Sequence, residues 1–311
     1  GLWIHDVHGQ VLFYDGQTTL PDTGSILQKN TEEVAYQNDA FWTFFDNEVF
    51  KVYPNQEQKL VFSLRPGSKI RKIGTSKDYI WVSDGTYFHV YNTITQQRDK
   101  FSLLQLYQHS NNRYVYINDA ILVDQTWVIG TTAGVYFSDK KRLKHITTSG
   151  TQYIETLYYS SKRRELLVGT LTGTLFYETE QGIDIIDSVS ITHVLAFAET
   201  DLGYWIGTEQ GLYLFSFSTG EVNEMLPIGF LDGPPAHTKI YSLLNDNMGG
   251  MWMATDRGIW YYSEFSQIFK RTSLAGKHRQ VSTTYLRQSL IGPDNSLWFT
   301  DGQALYHSTS G

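Results

Sequence analysis

Short apolar runs separated by polar turns follow one another along the whole chain, and residues 239–273 show one complete unit of this pattern. The turns between the runs are rich in Asn, Asp and Gly, as antiparallel hairpins require. Within this unit we predict four strands, at 239–244, 251–255, 259–262 and 264–272. A helical period of 3.6 is sustained nowhere, and only 102–109 suggests one briefly.

Tryptophan marks one position of a longer repeat. Seven of the eight tryptophans lie in one recurring phrase, an apolar run that ends in Gly-Thr in its best copies. The repeated position falls at residues 3, 42, 81, 128, 167, 205, 252 and 298, so successive copies lie 38 to 47 residues apart. A period of about 42 residues made of short strands is typical of a β-propeller with one blade per repeat. We therefore predict an all-β fold, a β-propeller of four-stranded antiparallel blades, with the repeated Trp buried between blades.

Glycine follows threonine by three residues in four copies, at Gly134, Gly173, Gly211 and Gly258. Each of these glycines opens the third strand of its blade directly after a tight turn. Because only glycine accepts a positive φ there without cost, we expect that backbone conformation at all four positions.

Eight copies of the phrase leave the number of blades open. The first copy lacks a preceding strand and the last lacks a following one. We favour seven blades, and the alternatives are eight blade positions or one propeller followed by the start of a second. In each case we predict a single propeller domain over residues 1–311. Because the chain opens inside a strand phrase, we expect it to be a piece of a longer protein.

Composition excludes several classes of function. The net charge is −7 and no basic run is longer than three residues, which argues against nucleic acid as a partner. There is no cysteine, and no apolar run approaches about 18 residues. The only close histidine pair, His5 and His8, would point to opposite faces of a strand, so we predict no metal site. Nucleophile elbows, phosphate loops and zinc-protease motifs are missing, and we predict neither catalytic residues nor a cofactor.

The best copy of the phrase, Trp-Ile-Gly-Thr-Glu-Gln-Gly-Leu-Tyr-Leu-Phe at 205–215, resembles the two-component regulator propeller repeat. Similar copies lie at 128–137, 167–177 and 252–262, and the others keep less of the motif. The resemblance implies the extracytoplasmic sensor region of a hybrid two-component system of the type found in Bacteroidetes. Such a receptor is periplasmic, recognises oligosaccharides and controls genes for polysaccharide utilisation.

The same resemblance implies partners for this chain. An adjacent propeller and an immunoglobulin-like domain would precede a membrane helix and a histidine kinase, and the full receptor would be a homodimer. The family offers no catalytic residue to carry over, so we expect no enzymatic activity from this fragment.

Three connections between repeats are long, at 105–113, 227–238 and 274–283. Long loops on a rigid scaffold often carry binding. In a propeller they open on the same face as the turns between second and third strands, so these loops and turns predict one ligand-binding face. Its candidate residues are Tyr107, His109, Glu209, Phe230, Asp232, His237, Asp256, Arg257, His278 and Arg279. Aromatic rings could stack on sugars, and the charged and polar groups could bind hydroxyl, uronate or sulfate groups.

Other interpretations of these residues stay open. They could be solvated loop positions or contacts to a neighbouring domain. The chain could also be a propeller enzyme, a polysaccharide lyase or glycosidase, or a scaffold that binds no ligand.

Overall fold

The structure is a computed structural model, and it describes residues 2–5, 11–14, 19–21, 33–38, 40–53, 58–109, 115–139, 142–145, 153–178, 184–191, 193–225, 238–245, 250–256, 258–262, 288–291, 297–300 and 305–308. The chain divides into two compact units, residues 1–263 and 264–311. The blade number and the single domain over 1–311 stay predictions.

The first unit consists of successive antiparallel sheets, each formed by strands that follow one another along the chain. Its strands are β1 (Leu2–His5), β2 (Val11–Tyr14) and β3 (Thr19–Pro21); β4 (Val34–Gln37), β5 (Ala40–Phe45), β6 (Glu48–Val52) and β7 (Lys59–Ser63); β8 (Lys72–Ser76), β9 (Tyr79–Ser83), β10 (Tyr87–Asn92) and β11 (Arg98–Ser102); β12 (Ile117–Val123), β13 (Thr126–Thr131), β14 (Gly134–Asp139) and β15 (Arg142–His145); β16 (Ile154–Ser160), β17 (Glu165–Thr170), β18 (Gly173–Glu178) and β19 (Asp184–Ser190); β20 (Val194–Glu199), β21 (Gly203–Thr208), β22 (Gly211–Ser216) and β23 (Val222–Glu224); and β24 (Ile240–Asn245), β25 (Met251–Thr255) and β26 (Gly258–Tyr262). The second unit contains one described sheet, of β27 (Gln288–Ile291), β28 (Leu297–Thr300) and β29 (Leu305–Ser308).

The first strand of a sheet contacts the first strand of the next sheet, in the order β4, β8, β12, β16, β20 and β24. These strands are the inner strands of neighbouring blades, and the all-β propeller fold predicted from the repeat is confirmed. The predicted strands at 239–244, 251–255 and 259–262 correspond to β24, β25 and β26, whereas 264–272 lies outside the described residues. The brief helical pattern at 102–109 corresponds to α1 (Leu104–His109). No helix among the described residues is long and apolar enough to cross a membrane.

The core lies between blades, as the repeated tryptophan predicts. Trp42, Trp81 and Trp205 are at most 2% exposed, and each packs against the inner strands of the following sheet. Val128 and Leu167 occupy the same position in their blades and are equally buried. Trp, Val and Leu are all buried at this position, which identifies it as a packing position.

Trp252 corrects the expectation of uniform burial, because it is only half-buried. Its ring packs against Tyr261 of its own sheet, with ring centroids 4.4 Å apart. The opposite face of the same strand carries Met251 and Met253, which are buried against the sheet of Trp205. Within the described part of the first unit, β25 is thus buried against the preceding blade.

Threonine fixes the turn before the third strand in four of the sheets. The hydroxyl of Thr208 is buried and donates to the carbonyl of Gly211 at 2.9 Å, while it accepts from the N–H of Gln210 at 3.1 Å. The same donation recurs from Thr131, Thr170 and Thr255 to the glycine three residues later. All four glycines have positive φ, between 109° and 150°, as predicted.

Side chains satisfy the free edges of the inner strands. The carboxylate of Asp119 on β12 accepts from the N–H of Leu157 on β16 at 2.8 Å. Glu33 accepts in the same way from Ile73 on β8 at 3.1 Å. An unpaired N–H at a strand edge would otherwise need water. Burial raises the pKa of Asp119, and its hydrogen bonds from Leu157 and Ala120 oppose that rise.

Candidate functional site

Four inner strands begin with the same irregularity. In β12, β16, β20 and β24 the pairing register shifts by one residue directly after the first residue of the strand. The bulged residues are Asn118, Glu155, Leu195 and Tyr241. A bulge leaves its residue unpaired and changes the direction of the side chain, and bulges are over-represented at sheet edges and next to active sites.

These bulges lie at the end of each sheet where the second strand turns into the third. The N–H of Glu209, in the β21–β22 turn, donates to the carbonyl of His193, which directly precedes β20. The N–H of Asp256 in the next sheet donates in the same way to the carbonyl of Lys239. We call this side of the first unit the turn face. It carries the turns between second and third strands, the residue before each inner strand, and the bulge.

Five polar residues form a continuous group on the turn face. Nε2 of His193 lies 3.5 Å from Oε2 of Glu155, and its Nδ1 lies 3.6 Å from Oε1 of Glu209. The same Glu209 oxygen accepts from Nζ of Lys239 at 2.7 Å, and the Lys239 N–H donates to Oδ1 of Asp256 at 3.1 Å. We call these five residues, from three successive blades, the turn-face cluster.

An ion pair between Lys239 and Glu209 lies within the turn-face cluster. The hydrogen bond from Lys239 lowers the pKa of Glu209, and the same contact raises the pKa of Lys239. Both groups are therefore ionised near neutral pH. Their side chains remain about two-fifths exposed, at 40% and 42%, so the pair positions its members more than it stabilises the fold.

Tyrosines occupy positions of the turn face and expose apolar surface. Tyr153 precedes β16 and is 37% exposed, and Tyr241 occupies the β24 bulge and is 51% exposed. Tyr116, in the position before β12, is 43% exposed, and the guanidinium of Arg71 lies 5.3 Å from its ring centroid. Such rings offer flat surfaces on which a ligand can stack.

Three of the ten predicted site residues have described side chains. Glu209 and Asp256 both contact Lys239 in the turn-face cluster. Tyr107 lies apart from them on α1, where its hydroxyl donates to the carbonyl of Gly85 and its ring packs on the core. It thereby attaches α1 to the β9–β10 turn.

The side chains of the other seven candidates lie outside the described structure. The backbone of His109 ends α1, and its side chain lies outside the described structure. Phe230, Asp232, His237, Arg257, His278 and Arg279 lie outside the described residues. Their part in a site stays a prediction.

Sequence reasoning missed Glu155, His193 and Lys239. Each stands next to the first apolar residue of an inner strand, Ile154, Val194 or Ile240. Alignment of those apolar residues would have shown that polar side chains recur beside them. Within the described residues no group of three or more His, Asp or Glu side chains is arranged to hold a metal ion. Chemically, the cluster can donate and accept hydrogen bonds at several points on one surface.

No protein-family model matches the sequence, and no curated protein matches it. Among solved structures, the extracellular domain of BT4673 from B. thetaiotaomicron, described as a hybrid two-component system, has a TM-score of 0.62 and 15% identity. The match covers 98% of this chain and 43% of that chain. The extracellular domain of BT3049 from the same organism, described in the same terms, has a TM-score of 0.61 at 15% identity, with coverages of 98% and 45%.

A third similar structure is the WD40 propeller domain of Doa1, with a TM-score of 0.61 at 10% identity and coverages of 84% and 87%. At these identities the likeness shows the fold. The chain spans less than half the length of the two extracellular domains it resembles. These domains belong to the class of protein that the repeat phrase resembles.

Proposed function

We propose that this chain is the ligand-sensing propeller of a periplasmic receptor, a hybrid two-component system, and that it binds an oligosaccharide on its turn face. The fold it shares with extracellular domains of such systems supports the sensor role. The signal passes to a histidine kinase outside the chain, through an adjacent propeller and an immunoglobulin-like domain, in a homodimeric receptor. The receptor controls genes for polysaccharide utilisation.

The observation that carries the ligand proposal is the turn-face cluster. Its carboxylates accept hydrogen bonds, and Lys239 and His193 can donate them, as the many hydroxyl groups of a saccharide require. The cluster side chains come from three blades whose inner strands are packed together. The site is therefore preorganised, and a ligand can bind without rearrangement of the blades. Tyr153 and Tyr241 add exposed rings to the turn face.

Calorimetric titration with a panel of plant and host oligosaccharides tests this function. For the saccharide that binds best, we expect Glu209→Ala to weaken binding by at least about tenfold, because hydrogen bonds to charged groups contribute about 1.5–3 kcal/mol. Asp201→Ala is the matched control, since Asp201 also pairs with a lysine, Lys162, at 2.8 Å, but in the β20–β21 turn at the other end of the same sheet. Its affinity should equal that of the wild type.

Two results would reject the proposal. If no saccharide binds, the chain is a scaffold, and if new reducing ends or unsaturated products appear, it is an enzyme. Thermal melting of both variants separates a lost contact from lost folding, because surface substitutions usually change stability by within about 0.5 kcal/mol.

A further inference from the structure

Acidic residues are concentrated in the blades that carry the turn-face cluster. Residues 146–263 contain 14 Asp and Glu but only 5 Lys and Arg, whereas the rest of the chain contains 18 acidic and 20 basic residues. The formal charge is therefore −9 in this segment and +2 elsewhere. The field over β16–β26 is accordingly negative, although the net charge of the whole chain is modest.

The turn-face cluster repeats this imbalance locally. Glu155, Glu209 and Asp256 supply three carboxylates, while Lys239 supplies one full positive charge. That ammonium already lies 2.7 Å from Glu209, and it is the only lysine or arginine side chain in the cluster. Among the described residues of the cluster, an approaching anion would meet three carboxylates and one ammonium group, which is already paired with Glu209.

We infer that the turn face selects saccharides by charge, favouring neutral sugars and above all amino sugars with a free ammonium group, and disfavouring uronates and sulfate esters. The inference rests on the proposed function and specifies its ligand class. An ammonium group can donate to Glu155 and Asp256, and the exposed rings of Tyr153 and Tyr241 can attract it through their faces. A carboxylate or sulfate group would be repelled at the same positions.

The dependence of affinity on salt concentration distinguishes selection by charge from selection by shape. The Debye length shortens from about 30 Å at 0.01 M salt to about 3 Å at 1 M, so added salt weakens attraction and repulsion alike. Affinity for an ammonium-bearing saccharide should fall with salt, and affinity for an anionic one should rise. Affinity for a neutral saccharide should change little.

The experiment compares tetrasaccharides of glucosamine, N-acetylglucosamine and galacturonic acid, titrated into the 311-residue chain at pH 7 in 0.05 and 0.5 M NaCl. At low salt we expect the glucosamine oligomer to bind about tenfold more tightly than the galacturonic acid oligomer, with the neutral oligomer between them. High salt should reduce this preference several-fold. Glu155→Gln should also reduce it, whereas Asp201→Asn, which removes a negative charge at the opposite end of the sheet, should leave it intact.

The outcomes separate the inference from the function on which it rests. If the galacturonic acid oligomer binds best, or if all three bind equally at both salt concentrations, the charge selection is wrong while saccharide sensing stands. If Glu155→Gln and Asp201→Asn reduce the preference equally, the turn face is not its source. If no saccharide in this set or in the wider panel binds, the proposed function itself fails.

Discussion

Substitution of Gly169 by alanine should destabilise the propeller by overpacking the space between its own sheet and the next blade. Gly169 lies on β17, where it pairs with Thr156 of its own sheet and faces Val194 of the next blade. A Cβ placed there would lie 2.7 Å from Cγ2 of Thr156 and 2.9 Å from Cγ1 of Val194. Both distances are shorter than carbon atoms tolerate, so one side chain or strand must move.

The expected magnitude follows from two opposing effects. Overpacking a well-packed core costs about 1–3 kcal/mol. Alanine also lowers the conformational entropy of the unfolded chain, which stabilises the folded state by about 0.4–1 kcal/mol where alanine can adopt the native backbone conformation. We expect a net loss of about 1–2 kcal/mol, and therefore a drop of about 1.5–3 °C in the melting temperature of a chain this size.

A second substitution identifies the cause of this loss. Thr156→Ser removes the Cγ2 methyl group that makes the shortest contact and keeps the hydroxyl near Asp119. Urea denaturation of the two single variants and the double variant should show that Thr156→Ser restores about 0.5–1.5 kcal/mol in the Gly169→Ala background. Gly258→Ala is the control, because its Cβ would meet nothing within 4 Å and its cost would come from φ +109° alone. The reasoning is refuted if Gly169→Ala is as stable as the wild type, or if Thr156→Ser rescues both glycine variants equally.

Thr208→Val should lower stability by about 1–2 kcal/mol in urea denaturation, because it removes two part-buried hydrogen bonds and leaves the Gly211 carbonyl and the Gln210 N–H without their side-chain partner. Thr255→Val should cost less, since water can replace the hydroxyl at that more exposed site, and equal losses would contradict this view. Stability should also fall at acid pH because the carboxylate of Asp84 becomes protonated. Burial raises the pKa of this carboxyl, but hydrogen bonds from Tyr87, Thr86 and His89 hold the pKa below its ordinary value of 3.8. The stabilisation is thus complete above the ordinary pKa and is lost as the pH falls through the lower folded pKa. In urea denaturation between pH 2 and 7, Asp84→Asn should reduce the loss of unfolding free energy at acid pH. An unchanged loss would contradict the assignment to Asp84.

The strands and the blade packing could be predicted because local residue types encode them. Alternation and turn residues placed β24–β26, and the Thr-x-x-Gly spacing predicted the positive φ at Gly211. The apolar position shared by Trp205 and Leu167 predicted burial between blades. In each case the information lies within one repeat.

The candidate site could be predicted only in part, because it depends on contacts between repeats. Glu155 and His193 are 38 residues apart, and their 3.5 Å contact arises from the packing of two blades and from bulges that no residue type marks. Glu209 and Asp256 were found because turn residues are visible in the sequence. The exposure of Trp252 was missed because the repeat phrase does not say how closely each blade is packed.

The central claim is that the turn face holds the ligand, and a crystal structure of the chain with its tightest-binding oligosaccharide tests it most directly. The account predicts a saccharide within hydrogen-bonding distance of Glu155, Glu209 or Lys239, with a sugar ring against Tyr153 or Tyr241. A saccharide bound at the opposite end of the sheets, near Lys162 and Asp201, would contradict it.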